Sequence, residues 1–558
     1  MKRQIRAVLA AFLLLSSILL LAQAPGAVDV QVHAAQTRGP LRPIWNFFGY
    51  DEPNYTYAAN GKQLLGELAA LSPVPVYVRT HNLFTSGDGS ASLKWGSTNV
   101  YTEDASGKAI YDWTIVDRIF DAYQAQGVKP LVELGFMPQA LSTNPEPYRH
   151  NFPAGPIFTG WAYPPKDYDK WGDLVFRFVK HLRERYGDAE TKTWLWEVWN
   201  EPDISYWKGT PDQYLNLYDH AADAVLRALP GARIGGPDST GPANDKAAEF
   251  LRLFLDHCAH QKNYVTGKTG APLTFISFHP KGAPTVENGH VRMGISRQLQ
   301  AIQRGFKIVA SFPEWRNTEI ILGESDPEGC AACSARDRPE NAYRNGPLYA
   351  AYTAEVLNQI YALAARDQVN FRGAVTWAFE FEDQPPFAGF RELATNGIDK
   401  PVLNAFRMFG LLDGDRVSAS SAGALPLDEV LQAGVRGLPD INVIAVRQDH
   451  QLSILLWNYH DDDNPSADTP VRLLVSEVPA KKSVIEHFRI DGMHSNAYTA
   501  WKAMGQPSHL TGDQQELLQA TGQLQPLDSP RWVQVANGQI KLEFNLPRHA
   551  LSLVRIEW

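Results

Sequence analysis

The stretch TWLWEVWNEPD, Thr193–Asp203, puts three tryptophans among other strand formers and then ends on Glu201, Pro202 and Asp203. A run rich in aromatic and β-branched residues is suited to a buried strand, so a carboxylate at its end calls for a reason. A parallel β/α barrel supplies one. In that fold the chemistry lies at the carboxyl ends of the strands, while residues at the amino ends mostly serve stability.

The surrounding sequence carries the same pattern. From Pro43 to Phe381, short β-rich runs alternate with longer stretches of helical periodicity: PIWNFFGY, VPVYVRTH, KPLVELGF, TWLWEVWNE, RIGGPDS, TFISFHPKG, EIILGESD and FRGAVTWAFEFE. Eight runs are what a closed parallel barrel requires. Between them, Trp171, Leu174, Val175, Phe178 and Leu182 recur at spacings of three and four and form one helical stripe. Val116, Ile119, Phe120 and Tyr123 do the same before Gly127, a natural helix stop.

After about Lys400 the texture changes to alternating segments such as INVIAV, LSILLWNY, VRLLVSEV and KLEFNL, separated by Asp-, Pro- and Gly-rich turns. These predict antiparallel strands with one buried face. The expected fold is therefore an α/β (β/α)8 barrel over residues 43–410 followed by an antiparallel β-sandwich over 411–558. The alternating run VDVQVHA, within residues 27–42, is expected to add a strand to the sandwich. Residues 1–26 read as a secretory signal, because Lys2, Arg3 and Arg6 precede an apolar run from Ala7 to Leu21 and then small residues, with cleavage between Ala24 and Ala27. A secreted or periplasmic protein follows, with no membrane association after cleavage.

Composition narrows the partners. Apolar residues at 44% and charged residues at 20% describe a well-packed globular chain, and a net charge of −9 argues against nucleic acid or an anionic membrane. With 15 Trp and 21 Tyr there are many ring faces, either core filling or platforms for sugars. Cys330 and Cys333 form a CAAC, but Cys258 is far away and no second CxxC exists, so a local loop disulfide or two inert thiols is preferred to a redox or zinc site. The sequence leaves oligomerisation open.

Two glutamates fall at strand ends on the catalytic side: Glu201 after the fourth run and Glu324 after the seventh. Glu319 begins the seventh run and belongs to the opposite mouth, and Glu197 is mid-strand, where a buried charge needs a partner. Two opposed carboxylates are what glycoside hydrolysis needs, one to protonate the leaving oxygen and one to attack the anomeric carbon or direct water onto it. Glu201, flanked by Trp196, Trp199 and Pro202, suits the acid, whose pKa apolar surroundings should raise. Asn200 is placed to bond the sugar 2-hydroxyl. Neither metal nor organic cofactor is expected, since two carboxylates and water suffice.

The Asn-Glu-Pro of residues 200–202 with GESD of 323–326 resembles retaining glycosidases whose acid/base ends strand four and whose nucleophile ends strand seven. RTHNLF (Arg79–Phe84), FISFHPKG (Phe275–Gly282), TWAFEFEDQPPFAGFRELATNGIDKPVLNAFRMFG (Thr376–Gly410) and FRIDGMHSNAYTAWKAMGQP (Phe488–Pro507) narrow the resemblance to glycoside hydrolase family 39, the family of β-xylosidases and α-L-iduronidases. It implies Glu201 as acid/base, Glu324 as nucleophile, retention of configuration, His81, Asn200 and His279 as sugar contacts, and Lys281 and Glu382 near the site. CAAC is not part of the family pattern. An iduronide carries a carboxylate and calls for cations, whereas the eighth run ends in the acidic Phe379–Asp383. The expected activity is thus a β-xylosidase releasing β-D-xylosyl residues from xylo-oligosaccharides. The alternatives are an α-L-iduronidase-like enzyme on uronic-acid glycosides and a carbohydrate-binding barrel without turnover.

Overall fold

In a computed structural model, which describes residues 26–150, 157–158 and 160–558, all eight runs become strands of one closed barrel. In chain order they are Phe47–Tyr50, Tyr77–Thr80, Lys129–Leu134, Leu195–Val198, Arg233–Thr240, Phe275–His279, Glu319–Leu322 and Phe371–Trp377, each parallel to its neighbours, with the last pairing back onto the first. Residues 1–25, on which the export reading rests, lie outside the described part. Among the described residues no helix is long and apolar enough to cross a membrane.

Alternation along the fourth strand separates the two surroundings of the barrel wall. Leu195 joins Phe47, Tyr77, Leu131, Phe275, Ile321 and Val375 in the lumen, while Trp194, Trp196 and Val198 pack outward into the layer shared with the helices. The tryptophans of the opening stretch therefore cement strand to helix. The predicted stripes are the buried faces of helices Thr114–Gln126 and Tyr168–Tyr186, and the first of these stops at Gly127, whose φ of +74° is a left-handed cap.

The second part is one hydrogen-bonded sheet of nine strands, in the order 525–534, 482–490, 551–557, 451–459, 440–448, 415–421, 28–40, 469–476, 540–546. It is antiparallel throughout except where Val28–Pro40 runs parallel to Thr469–Ser476. Strand Gln451–Tyr459 is buried on both faces. Leu452, Ile454 and Leu456 enter the core of the sheet, whereas Leu455, Trp457 and Tyr459 join the barrel's core. The indole of Trp457 also donates to Glu355 on barrel helix Pro347–Asp367 at 2.7 Å. Sheet and barrel thus share a continuous interior.

Candidate active site

The carboxyl ends of the strands converge on a buried ion network centred on Arg79, in the second strand. Its guanidinium pairs with Glu197 and Asp238, and with Glu133 at 3.1 Å and Glu324 at 3.4 Å. The side chains of Arg79, Glu133, Glu197 and Asp238 are fully shielded from water. A buried cation ringed by acids is stable only with such complete pairing. The same guanidinium donates to Asn200 Oδ1 at 3.2 Å.

The backbone delivers Glu201 by a tight bend. Trp199 and Glu201 have φ of +74° and +45°, a region L-residues occupy only when held there. Glu201 N donates to Asp238 O at 2.8 Å, which fixes the bend to the neighbouring strand end. Opposite, Gly323 precedes Glu324. A Cβ there would stand 2.1 Å from Asp238 Oδ1 and 2.8 Å from His279 Nε2, so only glycine lets this strand end approach the Asp238–His279 pair.

Lys281 Nζ stands between the two carboxylates, 2.9 Å from Glu201 Oε1 and 2.6 Å from Glu324 Oε2. His279 Nδ1 lies 3.0 Å from Glu201 and 3.6 Å from Glu324, and its Nε2 lies 3.0 Å from Asp238. His81 is gripped by Asp51 at Nδ1 (2.8 Å) and by Glu133 and Glu324 at Nε2 (3.1 and 3.5 Å). Arg79 Nη1 also approaches His81 Nε2, at 2.8 Å. That contact favours a neutral ring, yet three surrounding acids favour the imidazolium. Burial lowers the pKa of both histidines, and the acids reverse this: Glu133 then Asp51 raise His81 to about 9, and Asp238 then Glu324 raise His279 to about 9.

Burial would raise both glutamates, but Lys281, with the histidines, outweighs it. Glu324 is held well below the usual carboxylate range, and Glu201 at about 2. The low value of Glu201 corrects the expectation of a raised acid. Its carboxylate points to Lys281 and His279 rather than to an apolar wall, and of the flanking rings Trp196 faces the helices while Trp199 packs on Phe136 and Trp207.

Glu382 is the predicted site residue that does not join the cluster. It caps helix Ala59–Leu71, accepting from Asn60 N at 2.6 Å, because free amides at a helix start attract a carboxylate. Glu380, also counted in the acidic end of the eighth run, accepts from Gly397 N at 2.5 Å. The mouth is accordingly less acidic than the sequence suggests. A cavity of about 500 Å³ beside Glu201 is lined by Lys94, Lys281, Arg297 and Arg338 as well as Glu328 and Glu340, and Glu328 is neutralised by Arg344 at 2.7 Å and Arg391 at 2.9 Å.

One ligand atom from each of Glu201, His279 and Glu324 lies within 4.8 Å of the others, a span that could grip a small cation. The Lys281 ammonium already supplies positive charge between the same carboxylates. Cys330 and Cys333 are disulfide-bonded in the loop after the seventh strand, and Cys330 lines the Glu201 cavity.

Sequence reasoning missed Arg79, Asp238, Glu133, Asp51 and Lys94. Arg79 had a signal, since it lies two residues before His81 and shares its face. Asp238 lies one residue before the end of the fifth run, but a register shift between Pro237 and Ser239 disturbs the alternation there.

A closed parallel barrel with buried carboxylates opposed across its mouth, at the ends of strands four and seven, has the arrangement of a glycoside hydrolase. The chain belongs to glycosyl hydrolases family 39, whose model matches residues 28–531. It is 28% identical over 500 residues to a beta-xylosidase of Geobacillus stearothermophilus, covering 86% of each chain. It is 26% identical over 579 residues to the alpha-L-iduronidase of Mus musculus, covering 97% of this chain and 82% of that one. In fold it is similar to a monomeric beta-xylosidase from Caulobacter crescentus CB15, with a TM-score of 0.75 and 22% identity over 95% of this chain and 99% of that one.

Proposed function

We propose that the protein is a retaining β-xylosidase that removes terminal β-D-xylosyl residues from xylo-oligosaccharides. The observation that carries the retaining reading is the spacing. One oxygen of each glutamate lies within 4.8 Å of the other and a single ammonium, that of Lys281, touches both. This close pairing fits direct attack, with carboxyls roughly 5–5.5 Å apart, better than an inverting displacement, whose carboxyls stand roughly 6.5–9.5 Å apart around a water. Glu324, held ionised by Lys281, attacks the anomeric carbon as the bond to the leaving oxygen breaks, and Glu201 gives that oxygen its proton. Water then attacks the glycosyl ester, its proton passes to Glu201, and Glu324 is released.

Similarity to the β-xylosidases supports the sugar. A second reading, a uronic-acid glycoside, is favoured by one observation: Lys281 reaches into the gap between the carboxylates, in a cavity that also holds Arg297 and Arg338, Lys94 there being paired with Asp51 at 2.5 Å. A cation there would meet a sugar carboxylate. The test is hydrolysis of aryl β-D-xyloside and aryl α-L-iduronide side by side, with wild type and Glu324→Gln. Xyloside turnover that vanishes in the variant is expected. Turnover of the iduronide alone would overturn the choice of sugar, and inactivity on both would leave a binding protein.

A further inference from the structure

The chain that carries Lys281 out of the sixth barrel strand is not held by the barrel alone. Gly282, Ala283 and Pro284 line the same cavity as Glu201, and the chain then folds into the hairpin Thr285–Glu287 and His290–Arg292. The second arm of this hairpin docks on the nine-stranded sheet, at the loop that follows strand Gln451–Tyr459. Arg292 pairs with Asp462 as an isolated antiparallel bridge, Met293 N donates to Asp461 O at 2.8 Å, and Asp463 N donates to Val291 O at 3.0 Å. The Arg292 guanidinium forks onto Asp462, Nε to Oδ1 at 2.5 Å and Nη2 to Oδ2 at 3.0 Å. Such a bidentate pair fixes geometry as well as supplying energy.

The hairpin stem has little freedom of its own. Gly282 N donates to Asp326 O at 3.0 Å in the loop beyond Glu324. A Cβ on Gly282 would come within 2.6 Å of Pro327 O and 3.0 Å of the Tyr352 hydroxyl, and one on Gly294 within 2.7 Å of Ala283 O. The two ends of the hairpin therefore touch each other and the nucleophile's loop, and a shift at Arg292 passes to the backbone beside Lys281. The docking loop is itself braced, since Tyr459 Oη donates to Asp461 Oδ1 at 2.7 Å and Val435 N to Asp461 Oδ2 at 3.2 Å.

We propose that Asp462, in the loop that leaves the sheet after strand Gln451–Tyr459, is a positioning residue of the active site: through Arg292 it holds the hairpin stem and so sets where the Lys281 ammonium lies between Glu201 and Glu324. The sheet is thereby a working part of the site, and cutting the Arg292–Asp462 fork loosens Lys281 from the two carboxylates. This rests on the proposed roles of Glu201 and Glu324.

The test uses the full chain with Asp462→Asn, Arg292→Ala and the double variant. On the glycoside that wild type turns over, each single variant is expected to lose about tenfold in kcat/KM, as small displacements of a positioned group do. The alkaline limb of the kcat/KM profile should move to higher pH, because a looser Lys281, with His279 and Glu324 as the other charged groups facing Glu201, lowers the Glu201 pKa less. The double variant should match Arg292→Ala, which removes the fork together with the Arg292–Glu287 pair at 2.5 Å within the hairpin. Unchanged kcat/KM and an unchanged limb in variants with wild-type near-UV circular dichroism would overturn the proposal. Amide hydrogen exchange reports independently of turnover. Faster exchange at Gly282 with barrel strands unchanged supports the link, and unchanged exchange refutes it. If wild type hydrolyses nothing, the functional reading fails while the exchange result still decides the positioning claim.

Discussion

Lys281 governs the protonation of the two carboxylates it bridges. With the ammonium 2.9 Å from Glu201 and 2.6 Å from Glu324, the site holds two ionised acids with a cation between them. A general acid must carry a proton, so in the proposed mechanism the bound glycoside has to weaken the hold of Lys281 on Glu201 while Lys281 stays in place to keep Glu324 ionised. Removing the ammonium removes the main attraction that offsets burial. Lys281→Gln is therefore expected to move the alkaline limb of the kcat/KM profile, which reports the free enzyme, to higher pH; a limb that stays in place would contradict this account of Glu201. At this scale the sequence was readable where a residue's position fixes its direction. Glu201, Glu324, His81 and His279 stand at strand ends and are brought together. Glu382 lies beyond Trp377, the end of the eighth strand, where no period tells which way a side chain points, and a helix start captured it instead. The pKa of Glu201 was equally out of reach, because it depends on Lys281 and His279, 80 and 78 residues away in the chain.

At the scale of elements the barrel was legible because its parallel strands are buried on both faces and read as apolar runs between amphipathic helices. The parallel placement of Val28–Pro40 beside Thr469–Ser476 was not, since alternation gives a strand its faces but not its neighbour. The loop after the seventh strand was also unreadable, and its structure explains how it is held. Arg344, fully buried, donates to the carbonyls of Cys330 (2.6 Å), Cys333 (2.8 Å) and Gly389 (3.0 Å) and pairs with Glu328. The disulfide joins residues three apart, and closing so short a loop contributes only about 2 kcal/mol in the chain-entropy account. Removing one partner of a buried pair costs about 3–5 kcal/mol. Urea denaturation should accordingly show Arg344→Met as more destabilising than Cys330→Ser with Cys333→Ser. The reverse order would mean that the disulfide, not the arginine, holds the loop.

Over the whole molecule the buried network ties stability to pH. Burial raises Glu52 and Glu380 to about 8 and Glu133, Asp326 and Asp461 to about 7. These carboxyls keep protons the unfolded chain has lost, so their contribution is fully present below about pH 4 and disappears as pH rises through 7 to 8. His81 and His279, raised to about 9, contribute fully below about pH 6.5 and lose it as pH rises through 9. Glu201 and Glu328, held at about 2, act in the other direction, contributing above about pH 4 and failing as pH falls through 2. The melting temperature should therefore peak at about pH 4–6 and fall towards both extremes, and a rise from pH 6 to 9 in a thermal scan would contradict this balance. The same network surrounds Glu324, and the central proposal is that Glu324 attacks the sugar as a nucleophile. The most direct test is the proton NMR spectrum of the sugar first released from an aryl β-D-xyloside. This account predicts β-xylose first, with the α-anomer growing in only as the product equilibrates; α-xylose as the initial product would contradict it.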